Sequence, residues 1–88
     1  MLNSVINNII TIHSNDFERL WNTISKTDKK IMITLAFQEK VSEISQPTST
    51  IYSGLKRLLS KGYIIKNEHY ELDDPFFKFW LKEKREIF

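Results

Sequence analysis

The stretch from Pro47 to Lys66, PTSTIYSGLKRLLSKGYIIK, holds Lys56, Arg57, Lys61 and Lys66 and no acidic side chain. Ser49, Thr50 and Ser53 stand just ahead of the first of these cations. Ammonium and guanidinium groups neutralise phosphates, and short hydroxylated side chains donate hydrogen bonds while letting a backbone come close. The combination suits a polyanion contact; the same residues also suit a solvated helix face. The rest of the chain is not basic in this way. Residues 1–46 carry five cations and five acids, and residues 67–74 reverse the sign with Glu68, Glu71, Asp73 and Asp74. The placement of charge therefore says more than the net charge of +2.

Other chemistries find little support. There is no cysteine, and His13 and His69 lie far apart, so neither a disulfide nor a zinc cluster is expected. No glycine-rich phosphate loop and no nucleophile–base set stands out. Asp73 and Asp74 could be read as an acid or metal pair, but neighbouring residues rarely face one ligand. Asp74 directly before Pro75 is accounted for as a helix N-cap. His69 reads as a solvated turn residue, and His13 as a helix-packing or surface residue. The expectation is a non-enzymatic chain with no cofactor or metal of its own. No apolar run approaches the roughly 18 residues of a membrane span, and no signal peptide is visible, so no membrane partner and a cytoplasmic setting are expected.

The cationic stretch must be carried by something, and the hydrophobic pattern says what. Eighty-eight residues, 41% of them hydrophobic, make one small domain, 1–88. In residues 1–24, Leu2, Val5, Ile6, Ile9 and Ile12 or His13 recur at helical spacing, and Phe17, Leu20, Trp21 and Ile24 continue the phase. This predicts one long helix or two in line, with a bend at Ser14, Asn15 and Asp16, which favour caps. Ser25 and Asp28 resemble a capping box opening a helix that buries Ile31, Met32, Leu35 and Ala36 and ends near Phe37 or Gln38. Val41 and Ile44 anchor a single turn. Pro47 and its hydroxylated neighbours start a helix over Thr48–Lys61. Its apolar face is Ile51, Leu55, Leu58 and Leu59. Its opposite face is Ser49, Thr50, Ser53, Arg57, Ser60 and Lys61, with Lys56 at the edge. Gly62 suits the left-handed residue after a helix end. Gly54, inside the helix, is either a site of close approach or a tolerated flaw.

Tyr63, Ile64 and Ile65, then Tyr70 and Leu72, are strand formers around the polar turn Lys66–His69, which predicts a β-hairpin. Asp74 and Pro75 open a last helix reaching Lys84 or Arg85. Phe76, Phe77, Trp80 and Leu81 share one face of it, placed to pack on Phe17, Leu20 and Trp21, with Phe79 to the side. The order is that of a mostly α fold with a small β-hairpin: a winged helix-turn-helix core over 25–72, an extra N-terminal segment over 1–24 and a C-terminal helix over 73–88. Such folds lay the helix before the wing in the DNA major groove. Two features depart from that plan. The wing carries Glu68 and Glu71 as well as Lys66, and the second helix is cut to about one turn.

The stretch from Gln46 to Lys84 also resembles a known family. Pro47, Ser49 and Thr50, then Leu55, Lys56, Leu58, Lys61, Gly62 and Ile64, then Tyr70 and the closing DPFFKFWL, Asp74 to Leu81, are similar to the C-terminal winged-helix region of predicted archaeal-type P-loop ATPases of the broad AAA+/STAND group. The resemblance covers about half the chain. Members of that family carry an ATP-binding domain of a few hundred residues ahead of this region, and no Walker motif falls in these 88 residues. The resemblance thus implies a C-terminal module or stand-alone remnant, whose partners would be double-stranded DNA or an N-terminal P-loop ATPase domain. Under this reading Lys56, Arg57 and Lys61 are the phosphate contacts, with Lys66 on the wing, and Ser49, Thr50 and Ser53 lie at the helix surface, Thr50 and Ser53 nearest the bases. The alternative is a stand-alone dimeric transcriptional regulator, a homodimer joined through its first and last helices. A third is a protein-interaction domain that kept the winged shape.

Overall fold

A computed structural model of the chain describes residues 2–84. It contains helices α1 (Leu2–Asn22), α2 (Lys26–Ala36), α3 (Thr48–Lys61) and α4 (Pro75–Lys84), a 3₁₀ turn at Val41–Glu43 between α2 and α3, and strands β1 (Ile64–Lys66) and β2 (Tyr70–Leu72). The expected extension of α4 to Arg85 falls outside the described residues, as do the side chains of Leu2 and Ile6.

The bend expected at Ser14–Asp16 does not occur: α1 is one continuous helix. Its stripe keeps a single phase through Ile10, Phe17 and Trp21, all packed in the core. The Ser14 hydroxyl is used across the fold, accepting a hydrogen bond from Trp80 Nε1 at 3.2 Å. Tertiary packing thus overrides a local preference for capping. The stripe is also shifted at its start. Ile10 is buried, while Val5 and Ile12 face solvent.

α2 opens on Ser25, whose Oγ accepts the N–H of Asp28 at 3.4 Å. The reciprocal arm of the expected capping box is diverted, because the Asp28 carboxylate binds Arg57 instead. α2 and α3 close in the same way. The Glu39 N–H reaches Thr34 O and the Gln38 N–H reaches Leu35 O; the Tyr63 N–H reaches Leu58 O and the Gly62 N–H reaches Leu59 O. Each is a Schellman closure with a left-handed residue after the helix. Glycine fills that place in α3 (Gly62, φ 78°) and glutamine in α2 (Gln38, φ 55°).

β1 and β2 pair antiparallel, with Ile64 opposite Leu72, Ile65 opposite Glu71 and Lys66 opposite Tyr70. Ile64 and Leu72 turn inward, and Ile65 and Glu71 turn out, as the two-residue period of a strand requires. Tyr63, a predicted strand residue, stays outside the ladder; its N–H is spent on the α3 closure and its carbonyl accepts the Asp73 N–H. Asp74 caps α4, its Oδ1 accepting from Phe76 N at 2.9 Å and Phe77 N at 3.3 Å.

Ile31, Met32, Leu58, Ile64 and Leu81 are the largest of the fully buried side chains, which puts the centre of the core where α2, α3, the hairpin and α4 meet. α4 lies over α1 as expected. Phe77 stacks on Trp80 at 5.6 Å, Phe17 meets Phe77 at 5.3 Å, and Trp21 meets Trp80 edge-on at 6.4 Å. Such offset and edge-on pairs suit the ring quadrupoles. Phe79 stays 41% exposed. The aromatic run is therefore structural, a clamp that seats the N-terminal helix on the winged core.

Candidate nucleic-acid interface

α3 is positioned by its buried side: Ile51, Gly54, Leu55 and Leu58 face α2 and the core. With 3.6 residues per turn, the opposite face must carry Ser49, Tyr52, Ser53, Lys56 and Ser60, and all five are exposed. Lys56 sits near the middle of that face rather than at its edge. Tyr52, not singled out by the charge pattern, is the residue that sequence reasoning missed. It is 57% exposed, and the Lys56 ammonium lies 5.2 Å from its ring centroid. The signal was available: Tyr52 stands one helical turn before Lys56, where side chains meet. A tyrosine on an otherwise small polar surface supplies both a ring and a hydroxyl to a partner.

The other predicted residues divide into three groups. Thr50, half-buried, and Lys61, exposed in the last turn, lie on the flank of α3 with Arg57. Lys66 stands on β1, carried by the wing, with its ammonium 5.0 Å from the Tyr70 ring. Arg57 is committed within the fold. Its Nε donates to Asp28 Oδ2 at 3.0 Å and its Nη2 to Asp28 Oδ1 at 2.8 Å. The Arg57 side chain is still 49% exposed, whereas that of Asp28 is 5% exposed. The hydrogen bond to Asp28, and then that carboxylate's charge, raise the guanidinium pKa above its ordinary value.

The start of α3 adds a weaker contribution of the same sign. Pro47 makes no side-chain cap, and no acid lies in the first turn. The first N–H groups of a helix lack intrahelical partners and carry the positive end of its dipole. The outward face of α3 thus combines hydroxyls near the helix start with one lysine, Lys56, and carries no carboxylate, and a second lysine, Lys61, lies on its flank.

The wing differs. His69 Nε2 lies 3.3 Å from Glu71 Oε1, and Glu68 is exposed beside them. Behind the wing, a groove of about 880 Å³ runs between β2 and the closure of α2, lined by Leu35, Val41, Ile65, Tyr70 and Lys78 among others. Among the described residues no cluster of three or more His, Asp or Glu side chains could hold a metal ion, and no helix is long and apolar enough to cross a membrane.

A family model described as a probable winged helix domain matches residues 15–83. No curated protein and no solved structure matches the chain.

Proposed function

The chain belongs to the probable winged helix domain family, and we propose that it is a double-stranded-DNA-binding module that presents the outward face of α3 to the major groove. The observation that carries this reading is the acid-free face of α3 itself, with Ser49, Tyr52, Ser53, Lys56 and Ser60 exposed together. Lys61 flanks it and Lys66 adds a cation from the wing. Small residues near the helix start allow close approach, lysines neutralise phosphates, and the ring of Tyr52 supplies a rigid contact.

The test is a titration of a short mixed-sequence duplex, followed by fluorescence anisotropy from low to moderate salt. Three lysines engaging phosphates give a slope of log K against log salt of about −3. Lys56→Glu with Lys61→Glu should abolish binding. Affinity that does not change with salt, or that survives the double reversal, would refute the reading.

A second reading has its own support. The DPFFKFWL motif resembles the C-terminal region of P-loop ATPases, and the groove behind the acidic wing could seat such a domain. On this reading the module docks on an ATPase domain and α3 is an ordinary solvated face. Affinity for that domain with no affinity for duplex at low salt would select it. A homodimer through α1 and α4 has less to build on. The rings of Phe77 and Trp80 are already covered by α1 of the same chain, and among the described residues of α1 and α4 the exposed large apolar side chains are Val5, Ile12 and Phe79.

A further inference from the structure

We propose that Asp28 is a positioning residue for the DNA interface: it holds Arg57 so that the free end of the guanidinium presents two parallel N–H groups to a pair of acceptors on the duplex. The inference rests on the DNA-binding reading of α3. It goes beyond that reading in separating Arg57, with its planar fork of donors, from the lysines, which act as point charges.

The geometry is specific. Asp28 engages the side edge of the guanidinium, taking Nε at 3.0 Å and Nη2 at 2.8 Å. A guanidinium has five N–H donors in one plane. Two are consumed, and the end edge between Nη1 and Nη2 still carries a parallel pair. That pair matches the O6 and N7 atoms of guanine, or two oxygens of one phosphate. The buttress is inside and the cation outside, since the Asp28 side chain is 5% exposed and that of Arg57 is 49% exposed.

Asp28 is itself fixed. It lies in the first turn of α2, and its N–H donates to Ser25 Oγ. Gly54 makes its position possible. A Cβ there would stand 2.8 Å from Asp28 Oδ1, 2.6 Å from Ile31 Cδ1 and 3.6 Å from Arg57 Nη2. The missing side chain on α3 is thus the opening through which a carboxylate on α2 reaches an arginine on α3. An arginine held this way has already lost the rotamer freedom that an exposed lysine must still lose on binding.

A plain interhelical brace would use the same contacts, and the two accounts predict opposite signs. Asp28→Asn removes an acid beside a cation near the DNA. On charge alone, or if the pair only braces the helices, DNA affinity stays the same or rises. If Asp28 positions Arg57, affinity falls although the protein has become more positive, because the amide N–H₂ of Asn repels the guanidinium donors and breaks the two-point contact. Arg57→Lys keeps the charge and removes the fork.

The experiment uses the whole chain. A duplex library with a randomised centre is bound by the wild type, Asp28→Asn and Arg57→Lys, the enriched sequences are read, and affinities are measured on the wild-type consensus. Thermal unfolding confirms that each variant is folded. Positioning predicts that both variants bind the consensus more weakly by roughly five- to a hundred-fold. A loss confined to one base pair of the enriched sequence assigns the acceptors to guanine, and an equal loss on all duplexes assigns them to a phosphate. A folded Asp28→Asn that binds as tightly as the wild type, or more tightly, overturns the proposal and leaves the DNA-binding reading standing. Should Asp28→Asn not fold, Arg57→Lys decides alone, with unchanged affinity and consensus overturning the proposal. No duplex binding by the wild type at low salt overturns both.

Discussion

Replacing Gly54 with alanine puts two opposing effects on one residue. In an exposed helix interior, alanine is favoured over glycine by about 1 kcal/mol, so secondary-structure propensity alone predicts stabilisation. The packing says otherwise. The new Cβ would lie 2.6 Å from Ile31 Cδ1 and 2.8 Å from Asp28 Oδ1, both closer than a Cβ approaches another heavy atom. Neither neighbour can give easily. Ile31 is 0% exposed at the centre of the core, and Asp28 is held by Arg57 through two hydrogen bonds. Overpacking of a close-packed site costs about 1–3 kcal/mol. Two contacts with pinned atoms belong at the upper end, which leaves a net destabilisation of about 1–2 kcal/mol after the helical gain. For a domain of this size that is a fall in Tm of roughly 5–15 °C. Urea unfolding followed by far-ultraviolet circular dichroism measures it, with Ser60→Ala on the outward face of the same helix as a control for propensity. Ser60→Ala should be neutral or slightly stabilising. A Gly54→Ala protein as stable as the wild type would refute the close α2–α3 packing and the opening for Asp28 with it.

Trp80→Ala removes a ring that is 2% exposed and packed on Phe17, Trp21 and Phe77; a loss of about 3–5 kcal/mol is expected in the same unfolding assay, and a fully stable variant would mean that α4 does not clamp α1. Gln38→Gly relieves a left-handed non-glycine residue at the α2 closure and should add about 1 kcal/mol, whereas unchanged stability would show that this backbone conformation carries no cost. Asp74→Ala removes the acceptor of two N–H groups at the start of α4 and should cost about 1 kcal/mol, read as a lowered urea midpoint at constant slope.

The elements bounded by strong local chemistry could be read directly. Pro47 and Gly62 delimit α3, and Asp74 and Pro75 start α4. In each case one residue's backbone or capping preference decides the outcome. Where tertiary packing decides, the sequence misleads. Ser14–Asp16 look like a cap, but the Ser14 hydroxyl serves Trp80 and the helix runs on. Val5 and Ile12 look like core residues, but the stripe that α4 covers passes through Ile10.

The candidate site divides in the same way. Its lysines and hydroxyls are visible as an acid-free stretch. Tyr52 needed a helical projection centred on the buried face, because the charge pattern does not reveal an aromatic between two polar turns. The Asp28–Arg57 pair was hidden by its separation in sequence. A local reading of Asp28 as part of a capping box accounts for the residue, and only the approach of α2 and α3 over Gly54 shows where its carboxylate goes. The question of whether Gly54 is a flaw or a site of close approach is settled by the same contact.

The most direct measurement of the central claim is an amide chemical-shift titration of the protein with a short duplex at low salt. The account predicts shifts concentrated at Ser49, Tyr52, Ser53, Lys56 and Ser60 on α3, extending to Arg57, Lys61 and Lys66, with α1 and α4 unmoved. An unperturbed α3, or shifts confined to the groove between β2 and the closure of α2, would contradict it.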